Sequence, residues 1–205
     1  MKVLILIRHG ESTANVNADY HTHTPDHNIP LTYKGTEQSK KIKFSEELNE
    51  SSKIYCSPYK RAYETACNAL SKEYHNRIIQ EPLICERKVK WSWGNEHYNN
   101  VIENWKEKGS FWWKGIDHEF ESGADVYQRA SVFLNKITIK HFLDNDSKTV
   151  YVFTHGFFMN MFRIALIGNE CLDFNDYRKN PKNCEQWYFS SEDGKEWKFD
   201  YNKTI

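Results

Sequence analysis

The sequence predicts an α/β fold with a mainly parallel sheet, and three observations lead there. Two apolar runs, Val3-Leu4-Ile5-Leu6-Ile7 and Val150-Tyr151-Val152-Phe153, are short, continuous and uncharged, as strands buried on both faces are. Each run leads directly into a histidine-glycine pair, in Arg8-His9-Gly10 and in Thr154-His155-Gly156. Segments with helical spacing lie between the runs, and strands that alternate with helices build layered α/β folds. Parallel sheets carry their chemistry at the carboxyl ends of their strands. Two imidazoles and an arginine are therefore expected at one sheet edge, a combination suited to phosphate chemistry at histidine.

The elements follow in order. Strands are expected over 2–7, 52–56, 77–80 and 149–154. The stretch from Thr32 to about Leu48 is rich in Lys, Glu and Gln and reads as a partly exposed surface helix. Ser57-Pro58 reads as an N-cap with proline in the first helical position. Ala62, Ala66, Ala69 and Leu70 then give a narrow face that can approach a sheet closely. Ser122 with Asp125 resembles a capping box, followed at helical spacing by Val126, Ala130, Phe133, Ile137 and His141. The helix after His155 carries Phe158, Met161, Phe162, Ala165 and Leu166. Residues 184–200 read as an edge hairpin that turns at Asp193-Gly194. Residues 13–31 and 87–121 have weak periodicity and follow candidate site residues, so both read as active-site loops or a lid. No repeat or long linker appears, and residues 1–205 read as a single domain.

Composition narrows the classes of function. Lys+Arg and Asp+Glu are both 28, so the net charge is zero and nucleic acid is not an expected partner. Five cysteines, Cys56, Cys67, Cys85, Cys171 and Cys184, form no CxxC and read as free thiols in a reducing compartment. The amino-terminal apolar run is stopped at once by Arg8, unlike a signal peptide or a membrane span. The expectation is a soluble cytoplasmic protein, with a homo-oligomer compatible with the sequence.

The chemistry starts at His9. A neutral imidazole is a competent nucleophile, and attack on a phosphate ester requires the dianion to be neutralised. Arg8 and Arg61 supply guanidinium forks for phosphate oxygens. Gly10 is expected to let backbone approach the phosphate, with the next helix start offering N–H groups. His155 can add donors. Glu86, after the Pro82 turn, is placed to protonate a leaving alkoxide, if burial or a bound anion keeps it protonated. His21, His23 and His27 read as solvated loop histidines, because no further ligands complete a familiar metal site. No metal and no cofactor is expected. Trp91, Trp93, Trp105, Trp112 and Trp113 read as packing. With Arg87, Lys88 and Lys90 among the first of them, they can also wall a phosphorylated substrate that has an organic body.

These residues resemble the histidine phosphatase superfamily, which includes cofactor-dependent phosphoglycerate mutases. The resemblance rests on Arg8-His9-Gly10-Glu11-Ser12-Thr13-Ala14-Asn15, on Ser57 through Thr65 (SPYKRAYET) and on Thr154-His155-Gly156. It extends through Leu31-Thr32-Tyr33-Lys34-Gly35-Thr36-Glu37-Gln38 and Glu121-Ser122-Gly123-Ala124-Asp125-Val126-Tyr127-Gln128-Arg129. Pro25-Asp26 and Asn180-Pro181-Lys182-Asn183-Cys184 look like one phosphatase branch of mostly unassigned substrate. The resemblance implies a three-layer α/β/α sandwich around a mostly parallel central sheet, the phosphoglycerate mutase-like fold. It implies His9 as the phosphorylated nucleophile, a phosphate pocket of Arg8, Arg61 and His155, and Glu86 as proton donor. Ser12, Asn15, Gly156 and Arg87 are implied in contacts to the phosphate or the substrate.

One departure concerns the acid. Glu86 lies eight residues before Gly94, farther than in the branch resembled, so 87–93 reads as an inserted loop. Alignment from the other side puts Lys90 at the acid position, and Glu96 and Glu121 are the alternative carboxylates. The expected activity is metal-independent hydrolysis of phosphate monoesters through a phosphohistidine, on a small phosphorylated substrate. The alternatives are a phosphoglycerate-type mutase and a catalytically silent binder. The resemblance disfavours the mutase, whose branch carries a Tyr-Gly turn and paired arginines after the acid, whereas residues 107–120 contain only lysines as cations.

Overall fold

The computed structural model describes residues 1–89, 121–143, 147–168 and 181–200. Strands β1 (Lys2–Arg8), β2 (Lys53–Cys56), β3 (Ile78–Gln80), β4 (Thr149–Thr154), β5 (Gln186–Ser191) and β6 (Lys198–Phe199) form one sheet in the order β3-β2-β4-β1-β5-β6. β3, β2, β4 and β1 run parallel. β5 is antiparallel to β1, and β6 closes the edge hairpin. Helices α1 (Thr13–Val16), α2 (Tyr20–His23), α3 (Tyr33–Lys40), α4 (Lys60–Ala69), α5 (Gly123–Ile137) and α6 (Gly156–Ile167) lie between them.

The continuous apolar runs resolve into two cores through the period of two of a strand. Leu4, Leu6, Tyr55, Val150 and Val152 pack with Val126, Ala130 and Phe133 of α5 and with Phe158 and Phe162 of α6. Val3, Ile5, Ile7, Ile54, Tyr151 and Phe153 pack on the other face with Ala62 and Ala66 of α4. The result is the mixed α/β, helix-flanked sheet that the sequence leads one to expect. The small residues of α4 do bring that helix close to the sheet. The Ser122 capping box is formed: Asp125 N–H donates to Ser122 Oγ at 3.1 Å, and Ser122 N–H donates to Asp125 Oδ2 at 2.8 Å.

Two expectations need correction. The helix begun at Thr32, whose Oγ1 accepts from Gly35 N–H, ends at Lys40 rather than near Leu48. Beyond it, backbone carbonyls are taken by side chains: Lys43 by Gln186 Nε2 at 2.7 Å and Glu46 by the Tyr151 hydroxyl at 2.7 Å. Those anchors let Phe44 pack edge-on against Tyr151 and Phe153, which outweighs the helical propensity of a polar segment. Likewise α4 starts at Lys60 with Tyr59 as N-cap, so Ser57-Pro58 precedes the helix. The Ser57 hydroxyl is engaged instead by His155, at 2.8 Å.

Gly10 and Gly35 pack backbone to backbone. A Cβ on Gly10 would meet the Gly35 carbonyl oxygen at 2.6 Å, and a Cβ on Gly35 would meet the Glu11 carbonyl oxygen at 2.0 Å. The missing side chain of Gly10 thus admits α3, rather than a phosphate as its position next to His9 suggests. Because neither neighbour is a flexible side chain, Gly35→Ala is expected to cost about 1–3 kcal/mol. The check is the urea midpoint of the variant against wild type.

Candidate active site

Neighbouring parallel strands deliver the two histidines. Arg8 pairs with Thr154 at the ends of β1 and β4, and His9 N–H donates to the Thr154 carbonyl at 3.0 Å. The chain leaves each strand at the next residue, so His9 and His155 stand side by side with ring centroids 5.2 Å apart and planes at 60°. Ser57, after β2, joins the same edge: its N–H donates to the Phe153 carbonyl at 2.9 Å. This carboxyl edge is where α/β sheets place ligands.

Hydrogen bonding fixes the state of His9. Its Nδ1 lies 2.7 Å from the Gly10 carbonyl oxygen. A carbonyl only accepts, so Nδ1 carries the proton and Nε2 carries the lone pair. Burial pushes the His9 pKa well below the ordinary imidazole value, and the Arg61 and Arg8 guanidiniums push it further. His9 is therefore a neutral imidazole with an unprotonated Nε2. His155 is fully buried and its pKa is depressed as well, first by burial and then by Arg61. Its Nε2 meets Ser57 Oγ at 2.8 Å, and its Nδ1 is buried with no hydrogen-bond partner among the described residues.

The two arginines are held differently. Arg8 Nη1 donates to the Pro181 carbonyl, while its Nε is buried with no partner among the described residues. Arg61, 4% exposed, is clasped by Asp26. Nη1 donates to the Asp26 carbonyl at 2.7 Å and to Oδ1 at 3.0 Å, and Nη2 donates to Oδ2 at 3.3 Å. A guanidinium has five N–H donors. The Asp26 contacts use three, leaving Nε–H and one Nη2–H as the edge for a second anion. Buried polar atoms without partners are rare. Arg8 Nε and His155 Nδ1, on the residue before His9 and on the imidazole beside it, are two such atoms, and an oxyanion would satisfy them.

Glu86 reaches the same edge. Its Oε2 accepts from Phe157 N–H at 3.3 Å, in the first turn of α6, and its Oε1 accepts from Arg87 N–H at 2.9 Å. It thus sits at the amino end of the helix that His155 caps and Gly156 begins. The Arg87 guanidinium lies over the Phe157 ring, 4.1 Å from its centre. Asn15 Oδ1 accepts from Ser12 N–H at 3.0 Å and from Asn183 Nδ2 at 3.2 Å, so its amide end faces away from both. Glu121 is engaged elsewhere, in a bidentate pair with Arg129. Lys90, Glu96 and the five tryptophans from Trp91 to Trp113 lie outside the described residues. Among the described residues, no cluster of three or more His, Cys, Asp or Glu could hold a metal. His21 Nδ1 lies 3.5 Å from Asp26 Oδ1 with its side chain only 12% exposed, so it packs against that carboxylate rather than standing in solvent as the sequence leads one to expect.

Four contributors are missed by reading the sequence for chemistry. Asp26 clasps Arg61, Ser57 holds His155, and Asn183 Nδ2 donates to the His9 carbonyl at 3.1 Å as well as to Asn15. Cys184, at φ 63°, turns its N–H onto the Arg8 and His9 carbonyls. Pro25-Asp26, Ser57 and Asn180-Pro181-Lys182-Asn183-Cys184 carry the family resemblance, but no spacing or periodicity in the sequence assigns them these contacts.

A buried sheet edge carrying two imidazoles, two guanidiniums and a carboxylate is the arrangement of a phosphoglycerate mutase-like α/β protein. The chain belongs to the histidine phosphatase superfamily (branch 1), whose family model matches residues 4–202. It is 30% identical over 183 residues to a phosphoglycerate mutase-like protein of Arabidopsis thaliana, covering 78% of this chain and 64% of the relative, so it spans somewhat less than two thirds of that relative. It is 30% identical over 179 residues to phosphoserine phosphatase 1 of Hydrogenobacter thermophilus, covering 85% and 80%. It is 25% identical over 167 residues to the adenosylcobalamin/alpha-ribazole phosphatase of Escherichia coli, covering 80% and 79%. The fold matches a mycobacterial glucosyl-3-phosphoglycerate phosphatase at TM-score 0.72 and 18% identity, covering 98% of each chain.

The depressed imidazoles link the site to stability. Below about 6.5, the ordinary imidazole value, the unfolded chain binds protons that folded His9 and His155 refuse. The fold therefore loses stability as pH falls below that value. Thermal unfolding from pH 7.5 to 5 is expected to show this slope, and His9→Gln is expected to make it shallower.

Proposed function

We propose that this chain is a phosphomonoesterase that works through a phosphohistidine on His9. The observation that carries this reading is the 2.7 Å contact of His9 Nδ1 with the Gly10 carbonyl, which assigns the proton to Nδ1 and the lone pair to Nε2 in the field of two guanidiniums. Nε2 attacks phosphorus, the P–O bond to the leaving alkoxide breaks, and protonated Glu86 gives its proton to that oxygen. The Glu86 carboxylate then takes a proton from water. The resulting hydroxide attacks phosphorus, the P–N bond breaks, and inorganic phosphate leaves with His9 restored.

Arg8 and Arg61 hold the equatorial oxygens through Arg8 Nε–H and the free edge of Arg61. His155 faces them with a buried Nδ1, which is a donor when Ser57 Oγ–H supplies the hydrogen bond to Nε2. The amide end of Asn15 reaches the transferred group. Ser12 N–H orients Asn15, and Ser12 is a further contact to the phosphate. Gly156 opens α6 at the site, and Arg87, next to Glu86 and stacked on Phe157, is a contact for the substrate. No metal takes part, so a chelator should leave turnover intact. The names of the phosphatase relatives favour small phosphorylated substrates, and they favour hydrolysis over return of the phosphoryl group. The protein is read as one domain acting in the cytoplasm.

Hydrolysis of an aryl phosphate by wild type and by His9→Ala tests the reading: turnover is expected only with wild type. Following 3-phosphoglycerate with its bisphosphate tests the mutase, and no isomerisation is expected. Glu86→Gln should slow alkyl phosphates about 10²–10⁴-fold. Aryl phosphates, whose leaving groups need little protonation, should slow far less. Equal losses on both would remove Glu86 from the donor role.

A further inference from the structure

We infer that Arg129, on α5, is a positioning residue for Glu86. The inference rests on the donor reading of Glu86 given above. All five N–H groups of its guanidinium are used. Nε and Nη2 donate to the two oxygens of Glu121 at 2.8 and 2.9 Å. Nη1 donates to the Leu83 and Cys85 carbonyls, both at 2.7 Å, and Nη2 donates to the Glu86 carbonyl at 3.2 Å. With no donor left, Arg129 cannot itself hold a substrate phosphate. It acts on the chain that carries the acid.

That chain needs an anchor. A single 3-10 turn, Pro82–Ile84, precedes Cys85, and residues 85–89 have no regular secondary structure. Further ties on its near side are the Thr154 hydroxyl, which donates to the Ile84 carbonyl at 2.6 Å, and the Ser57 hydroxyl, 3.7 Å from Cys85 Sγ. On the far side Glu121 completes the bracket. Its Oε2 accepts from Lys88 N–H at 2.8 Å, and its own N–H donates to the Lys88 carbonyl at 3.0 Å. The Arg129–Glu121 pair thus holds backbone groups before, at and after Glu86. Its side chains are only 14% and 18% exposed. The planar fork matters here, because an ammonium group cannot span a carboxylate and three carbonyls at once.

Losing the bracket should misplace the acid while sparing the phosphate cradle, and a misplacement near 1 Å can cost about 10²-fold. Arg129→Lys, Glu121→Gln, Glu86→Gln and the double variant Glu86→Gln/Arg129→Lys are each assayed on an alkyl and an aryl phosphate, with inhibition by inorganic phosphate and thermal unfolding measured alongside. Arg129→Lys should lose roughly 10–100-fold in kcat on the alkyl ester and under about threefold on the aryl ester, with phosphate inhibition unchanged. In the double variant the Arg129 change should add nothing on the alkyl ester.

Equal losses on both esters in Arg129→Lys, or an additive double variant, would overturn the positioning role while a selective Glu86→Gln left the donor reading standing. An unselective Glu86→Gln would overturn the donor reading and the positioning role with it. Should Arg129→Lys not fold, Glu121→Gln decides: a selective alkyl loss supports the role, and wild-type selectivity overturns it.

Discussion

The pairing of Arg8 with Thr154 in the parallel register of β1 and β4 is the contact on which the site depends. It ends both strands at the same level, so the next residue of each is a histidine in the same crevice. A slip of one residue would turn one ring to the opposite face of the sheet, because successive side chains alternate. The register is itself guarded from both sides: Leu4 and Leu6 are committed to one core, and Val3, Ile5 and Ile7 to the other. Packing that looks purely structural therefore sets the 5.2 Å spacing of the rings.

Placing two guanidiniums in a buried edge is costly unless each finds acceptors. The protein meets this cost with groups from outside the sheet. Asp26 comes from the segment after β1 and takes one face of Arg61, and the Pro181 carbonyl takes part of Arg8. Both arginines keep further N–H groups aimed at no described acceptor, and both lower the proton affinity of His9. In the proposed mechanism, the field that would hold a substrate anion also keeps Nε2 of His9 unprotonated, so binding and activation would share one cause.

Much of this was legible in the sequence. The strands, the capping box at Ser122, the small face of α4 and the edge hairpin rest on local patterns that tertiary structure reinforces. The helix beyond Lys40 and the cap at Ser57 were misread because distant groups, Gln186, Tyr151 and His155, claim the local backbone or hydroxyl. Gly10 was given to a phosphate because its partner, Gly35, lies on a helix 25 residues on. His9, Arg8, Arg61, His155 and Glu86 could be placed at one edge because each follows a strand or a turn closely. Asp26, Asn183 and Arg129 were not assigned roles, since each acts through a contact that no periodicity encodes.

The account stands or falls on which atom receives the phosphoryl group. Rapid quench of the full chain during turnover of a labelled aryl phosphate, followed by alkaline digestion and phosphorus NMR, identifies that atom. Phosphate bonded to Nε2 of His9, absent from His9→Ala, is the predicted result. Phosphate on Nδ1, on His155, or on no histidine while wild type turns over would contradict it.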